Sequence, residues 1–396
     1  MTGPLTGIRV LDHGTVYAAP ISAMLLGDYG AEVVKIEHPD GDPARTHGYS
    51  KHGHGLWSKV ISRNKRTVTL NIAKPKGQDI LRRLVEHADV LIENFRPGVM
   101  ERWHLGPNEL FEVNPRLVML RISGFGQFGP YAQRRAFGTL AEAMTGFAHQ
   151  CGPEDGPPTL PPFGLADGVT GISGALAVML ALYARDATQG RGQVIDVSLL
   201  EPLLGILGPG PSVYDQLGII PGRQGNRSTN NAPRNVYLTG DGRWVAVSAS
   251  ATSVAKRVMR LVGRPDIAEQ PWFSSAGERV RRGELIDAPV AAWIRKRTHD
   301  EVVAAFQEAG AALASVYDVA QLIADPQIEA LEAITTIDDD DLGPLRMQNI
   351  MFRLLDTPGG IRFSGRRLGQ DTDEVYAELL GLEGDKLDQL RNEGVV

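Results

Sequence analysis

The sequence has a single cysteine, Cys151. That excludes an internal disulfide and any cysteine-based zinc cluster, and it fits a reducing compartment. Excess charge of either sign is small: 41 Lys and Arg against 47 Asp and Glu leave a net charge of -6. Such a balance gives no reason to expect nonspecific nucleic-acid binding, although it leaves room for a local basic pocket. Long apolar runs are scarce. The run at 176–183 is too short to cross a bilayer. The opening Met-Thr-Gly-Pro-Leu-Thr-Gly carries neither the basic nor the apolar region of a signal peptide. The expectation is a cytoplasmic protein with no membrane partner.

Several motifs are missing too. After the first strand the turn reads His13-Gly14-Thr15-Val16-Tyr17-Ala18-Ala19-Pro20, without Gly-x-Gly-x-x-Gly, so NAD and FAD are not expected. There is no phosphate-binding Gly-x-x-x-x-Gly-Lys-Ser/Thr and no Gly-x-Ser-x-Gly nucleophile elbow. His47, His52 and His54 lie in a Gly-rich stretch without zinc-ligand spacing, so no metal is expected. The acidic run at 338–341 reads as a solvated loop.

What is present fits a two-domain α/β protein. The 396 residues exceed the usual size of one domain, and 42% hydrophobic residues suffice for a large core. Strand-like segments rich in β-branched residues fall at 8–12, 32–37, 66–72, 89–94, 116–123 and 193–199, with helical segments at 20–29, 76–87 and 137–147. This alternation predicts a Rossmann-like large domain built on a parallel sheet. The expected divisions are 1–200 for the first part of the large domain and 201–225 for a linker. A smaller α+β domain at 226–325 and a returning linker and C-terminal part at 326–396 complete them.

The chemistry centres on Phe163-Gly164-Leu165-Ala166-Asp167-Gly168-Val169-Thr170-Gly171, ahead of an apolar helix expected from residue 175. Small neighbours let a bulky substrate reach the Asp167 carboxylate, which could act as a covalent nucleophile. Asp167 could equally cap the helix that follows. Arg45, Arg63, Lys65, Arg96, Arg102, Arg134 and Arg135 fall in loops or at element ends, where phosphate recognition needs them. Glu93-Asn94-Phe95-Arg96-Pro97-Gly98 ends a strand, where open α/β sheets bind ligands.

Taken together, these segments resemble the family III CoA-transferases, the group of formyl-CoA transferase and crotonobetainyl-CoA:carnitine CoA-transferase. The resemblance rests on the order of many motifs. They include Gly7-Ile8-Arg9-Val10-Leu11-Asp12, Gly30-Ala31-Glu32-Val33-Val34-Lys35-Ile36-Glu37, Asn64-Lys65-Arg66, and Ala88-Asp89-Val90-Leu91-Ile92-Glu93-Asn94-Phe95-Arg96-Pro97-Gly98. Gly124-Phe125-Gly126-Gln127, Gly190-Arg191-Gly192-Gln193 and Asp371-Thr372-Asp373-Glu374-Val375 carry it to the C-terminus. It implies that Asp167 is the nucleophile, passing through an aspartyl anhydride and an aspartyl-CoA thioester. Coenzyme A would be a co-substrate, and an acyl-CoA and a carboxylic acid the substrates. Leu70, Asn94, Arg102, Arg135 and Arg45 would contact CoA, and His38 stands where the family has a CoA-binding Arg. The Gly168 amide would help to stabilise an oxyanion. The resemblance also implies a ring-shaped chain in an interlocked homodimer.

The sequence departs from formyl-CoA transferases at Tyr17, in place of a Gln, and at Gly138, in place of an active-site acid. Oxalate is therefore not the expected substrate. Tyr17, Trp57, Phe125, Phe137 and Tyr214 could wall a pocket for a more hydrophobic acid. Two alternatives remain at this stage. An α-methylacyl-CoA racemase or other CoA-thioester isomerase would need an acid and a base, with only His13 and His149 to join Asp167. A non-catalytic CoA-binding protein is the other.

Overall fold

A computed structural model describes residues 3–396. The chain divides into two compact units. One takes in the chain up to Phe147, Leu160–Ser212 and Pro326–Val396, and the other Ala148–Thr159 and Val213–Asp325.

The first unit is built on six parallel strands: β1 Arg9–His13, β2 Glu32–Glu37, β3 Lys65–Thr69, β4 Val90–Glu93, β5 Val118–Ser123 and β6 Val194–Ser198. Their order across the sheet is β3-β2-β1-β4-β5-β6. It reverses direction between β1 and β4, and at such a point the loops beyond the strands diverge and leave a crevice. Alternate residues feed two cores. Leu11, Val34, Val68 and Leu91 face one side, under the helices Pro75–Glu86 and Thr372–Leu380. Val10, Val33, Val90, Ile92 and Leu120 face the other. Burial on both faces explains why these strands read as nearly continuous apolar runs.

Two helices cover the second face: α1 Ala18–Asp28 and the 20-residue Leu165–Ala184, whose first turn carries Asp167. The sequence placed the start of the second helix near 175. The difference lies in Gly168, Gly171 and Gly174, which disfavour helix by about 1 kcal/mol each and made the stretch read as loop. In the fold, Gly171 and Gly174 face α1. A Cβ at Gly171 would meet Ile21 Cγ2 at 2.5 Å, and one at Gly174 would meet Ser22 Oγ at 2.6 Å. Ser22 Oγ also donates to the Gly171 carbonyl at 2.8 Å. Close approach of two helices outweighs the propensity of either glycine. This helix, continued to Gln189, is long and apolar enough to cross a membrane by length and composition, as the core helix of a globular protein can also be, and 44% of its apolar window is buried within the fold.

The stretch 201–225 contains the helices Leu200–Ile206 and Gly210–Leu217. The acidic run, expected as a solvated loop, is so only in part: Asp338 and Asp340 are exposed. It ends the hairpin Ile334–Asp339 and Gly343–Gln348, with Asp339 buried. The Lys59 ammonium lies 2.9 Å from Asp339 and 2.7 Å from Asp341, and Asp339 also accepts the Ser364 hydroxyl. Two of the four carboxylates turn inward because a buried lysine stands opposite them.

The second unit has a three-stranded antiparallel sheet of Arg234–Leu238, Trp244–Ser248 and Leu313–Ser315. The helices Thr252–Leu261, Gly283–Ile294 and His299–Glu308 cover it, around Val245, Val247, Phe273 and Phe306. Thr298 and Glu301 form a reciprocal cap at the last helix.

Candidate active site

A cavity of about 750 Å³ opens at the C-terminal ends of the strands. Thr15 to Ala18 after β1, Asn94 after β4, Ile122 to Gly124 at the end of β5 and Leu199 after β6 line it. Asp167 lines it as well, with Phe137, Gly138, Pro161, Pro162 and Phe163.

The loop after β1 is held by buried charge. Lys65 donates to Asp12 at 2.8 Å and to the Pro20 carbonyl at 2.7 Å. Lys35 donates to Asp42 at 3.0 Å, and Asp42 accepts the amides of Ala44 and Val16. Val16 has φ +67°, a conformation that costs a β-branched residue energy. The Asp42 contact helps to hold it there. Tyr17 follows, its ring stacked on Trp57 at 4.3 Å with His47 edge-on at 5.5 Å.

Asp167 sits in the first turn of its helix, three residues past the N-cap Gly164. It is therefore not the N-cap residue that one reading of the sequence allowed. Burial first, and then the charge of Glu142, push its carboxyl up to about 6. Its own amide and the Gly138 amide donate to it and hold that rise back. Gly138 opens helix α2, Gly138–Met144; the Asp167 helix is α3 from here on. A Cβ at position 138 would collide with Asp167 Oδ2, so the missing side chain lets the backbone reach the carboxylate. Among the described residues, no cationic side chain pairs with Asp167.

Glu142, one turn further along α2, went unnoticed in the sequence. It is 2% exposed, and its Oε1 accepts the Ala166 amide at 3.1 Å. A glutamate four residues from Gly138 shares its helix face. That spacing was the only available signal, and it means nothing until α2 is known to meet α3. The Gly168 amide, expected to serve an oxyanion, donates instead to the Gly164 carbonyl at 2.9 Å within the helix.

The proposed CoA contacts fall in different places. Leu70 and His38 line a second slot of about 160 Å³ with Phe95 and Trp103. Thr15 borders both cavities. Asn94 borders the larger one, but its side chain is taken up by Thr15: Oδ1 accepts the Thr15 amide at 2.8 Å, and Nδ2 donates to the Thr15 carbonyl at 2.9 Å. Arg45 is committed to the fold. It donates to Glu37 at 2.7 and 2.5 Å and to the Arg366 carbonyl at 3.0 Å. Arg102 and Arg135 are exposed and border neither cavity.

Of the aromatic candidates, Tyr17 and Phe137 line the larger cavity and Trp57 backs Tyr17. Phe125 packs edge-on against Tyr131. Tyr214 belongs to the other unit. His13 lies in the slot, where burial and then Lys35 hold its imidazole down to about 3. His149 belongs to the other unit. Among the described residues no three His, Cys, Asp or Glu side chains gather as a metal-binding group.

Comparison with known proteins places this geometry. The model of CoA-transferase family III matches residues 5–372. The succinyl-CoA–D-citramalate CoA-transferase of Chloroflexus aurantiacus is 38% identical over 395 residues, covering 99% of this chain and 98% of that protein. The formyl-CoA:oxalate CoA-transferase of Streptomyces avermitilis is 30% identical over 413 residues, covering both chains in full. A crystal structure of a CaiB/BaiF family protein from Brucella suis superposes with a TM-score of 0.84 at 29% identity, covering 96% of this chain and 100% of that one. The sheet order, the carboxylate in its crevice and these matches converge: the chain is an enzyme that belongs to CoA-transferase family III.

Proposed function

We propose that this enzyme moves coenzyme A from an acyl-CoA thioester to a free carboxylic acid, with Asp167 as the covalent carrier. An Asp167 oxygen attacks the thioester carbonyl carbon. The C–S bond breaks, leaving an aspartyl–acyl anhydride and the CoA thiolate. The thiolate attacks the aspartyl carbonyl carbon and expels the first acid as its carboxylate, which leaves an aspartyl-CoA thioester. The acceptor carboxylate attacks that thioester and releases the thiolate. The thiolate then attacks the acceptor's acyl carbon, and Asp167 departs as a carboxylate. No proton is gained or lost over the cycle, and each intermediate preserves the activation of the thioester.

One observation carries this reading: a carboxylate without a cationic partner in the wall of a substrate-sized cavity. The smaller slot, with Leu70 and His38, would take the nucleotide end of CoA, and Arg102 and Arg135 its phosphates. Among the described lining residues His47 alone can carry positive charge, while Tyr17, Phe137, Phe163 and three prolines offer apolar surface. We therefore favour an acid with an apolar body over oxalate. The relatives named for succinyl-CoA make succinyl-CoA the first donor to try. An interlocked homodimer is supported by the outer face of α3, where Ile172, Leu176, Leu180 and Tyr183 are 47, 60, 62 and 71% exposed; a monomeric mass by light scattering would contradict it. The single cysteine favours the cytoplasm.

The test is to incubate the protein with succinyl-, acetyl- and branched acyl-CoA, trap with hydroxylamine or borohydride, and map the adduct by mass spectrometry. A label on Asp167, absent from Asp167→Ala, supports the mechanism. Measurable CoA binding with no label from any donor overturns it.

A further inference from the structure

Helix α2 meets the start of α3 at two points. The Gly138 amide donates to the Asp167 carboxylate. One turn along, the buried Glu142 carboxylate accepts the amide of Ala166, the residue before Asp167. The two carboxylates therefore stand over one turn of α3, and among the described residues neither is ion-paired with a Lys, Arg or His.

We propose that Glu142 is a positioning residue for the nucleophile: held on the Ala166 amide, its negative charge faces the Asp167 carboxylate and favours the acylated states, in which Asp167 carries no charge. The proposal rests on the reading of Asp167 as the covalent carrier.

The physical reason is like-charge repulsion in a partly dehydrated site. In the resting enzyme two carboxylates face each other. In the anhydride and in the aspartyl-CoA thioester only one remains, so the repulsion is relieved as the covalent bond forms. The same repulsion makes the resting carboxylate a stronger nucleophile. The carboxyl of Asp167, raised first by burial and then by Glu142, is consistent with that arrangement. The other groups facing Asp167 do not cancel it. Tyr17 is a phenol, itself pushed up by burial and by Asp167. His47 lies edge-on to Tyr17 in the same cavity and is the imidazole among its lining residues. The amides of Gly138 and Asp167 supply dipoles only.

The plainer role for Glu142 is a hydrogen-bond acceptor that closes the start of α3. Glu142→Gln separates the two, because glutamine keeps an accepting oxygen and loses the charge. The experiment measures kcat/KM against pH, kcat at pH 8 and thermal stability for the unaltered enzyme, Glu142→Gln and Asp167→Ala, with succinyl-CoA as donor. Under the proposal, Glu142→Gln moves the acid limb to lower pH by about half a unit or more. It also slows turnover on the order of tenfold without lowering Tm. A Glu142→Gln enzyme with the original rate and profile overturns the proposal.

Should that variant fail to fold, the carboxyl-13C resonance of Asp167 in the unaltered protein, assigned by its loss in Asp167→Asn, gives a second readout. The proposal requires that resonance to titrate well above the ordinary carboxylate range, and an ordinary midpoint contradicts it. Asp167→Ala keeps the two ideas apart. Full turnover in that variant defeats the covalent-carrier reading. A dead Asp167→Ala beside an unmoved Glu142→Gln profile defeats the role of Glu142 alone.

Discussion

Two carboxylates of the first unit are withdrawn from water, and they have opposite fates. Asp12, at the end of β1, is fully buried. Burial pushes its carboxyl up, but Lys35 and Lys65 more than offset that, and it ends below the usual range. Asp167, across the crevice in α3, is pushed up by burial and again by Glu142, with only two amides to oppose them. One charge is neutralised and becomes scaffold; the other is left unpaired and becomes chemistry. Functional groups are recognised here by what is missing around them, since a site that satisfied Asp167 with a lysine would also silence it.

Alanine at each position should separate the two most sharply. Asp167→Ala should lower turnover on the order of 10⁴-fold or more, as loss of a covalent nucleophile does, with little change in Tm. Asp12→Ala leaves the buried Lys65 ammonium without its carboxylate, while Lys35 keeps Asp42, and should destabilise the fold by about 3–5 kcal/mol. Urea unfolding beside steady-state assays reads both. Equal losses of stability in the two variants would erase the contrast.

The next effect is steric. Gly138→Ala places a methyl against Asp167 Oδ2. Displacing a reacting group by about 1 Å can cost on the order of 10²-fold in rate. The expected result is a folded protein, by circular dichroism, with kcat reduced by roughly that factor.

Protonation offers a graded version of the comparison. The proposed mechanism requires an ionised Asp167, and its carboxyl stands at about 6. Below that pH, kcat/KM should fall tenfold per unit, and a flat profile down to pH 4.5 would contradict the assignment.

The smallest effect is on stability. Because the folded-state value of Asp167, about 6, lies above that of a free aspartate, its charge opposes folding fully above about pH 6, and the penalty fades as pH falls toward about 4. Asp167→Asn should therefore raise Tm at pH 8 and lose that gain at pH 4. Asp12→Asn should be destabilising at both.

Some of this was open to reading from the chain. The β-branched strands and the helices between them predicted the parallel sheet because their period follows local geometry. The small residues around Asp167 marked it as reachable, and the ordered motifs placed it in a family. Other residues misled for equally physical reasons. Gly171 and Gly174 read as loop, because their value appears only against Ile21 and Ser22 on another helix. Asp339 and Asp341 read as solvated, because Lys59 lies nearly 300 residues away along the chain. Arg45 falls where phosphate recognition could use it, and only the fold shows that Glu37 also holds its guanidinium.

By itself, then, the sequence determined the sheet and the family and singled out Asp167 as the candidate carboxylate, since each depends on residue type, order and local period. The tertiary structure alone decided that Asp167 stays unpaired, that Gly138 approaches it through its backbone and that Glu142 stands beside it. Burial and charge partnership belong to residues far apart in the chain, and only folding brings them within reach of one another.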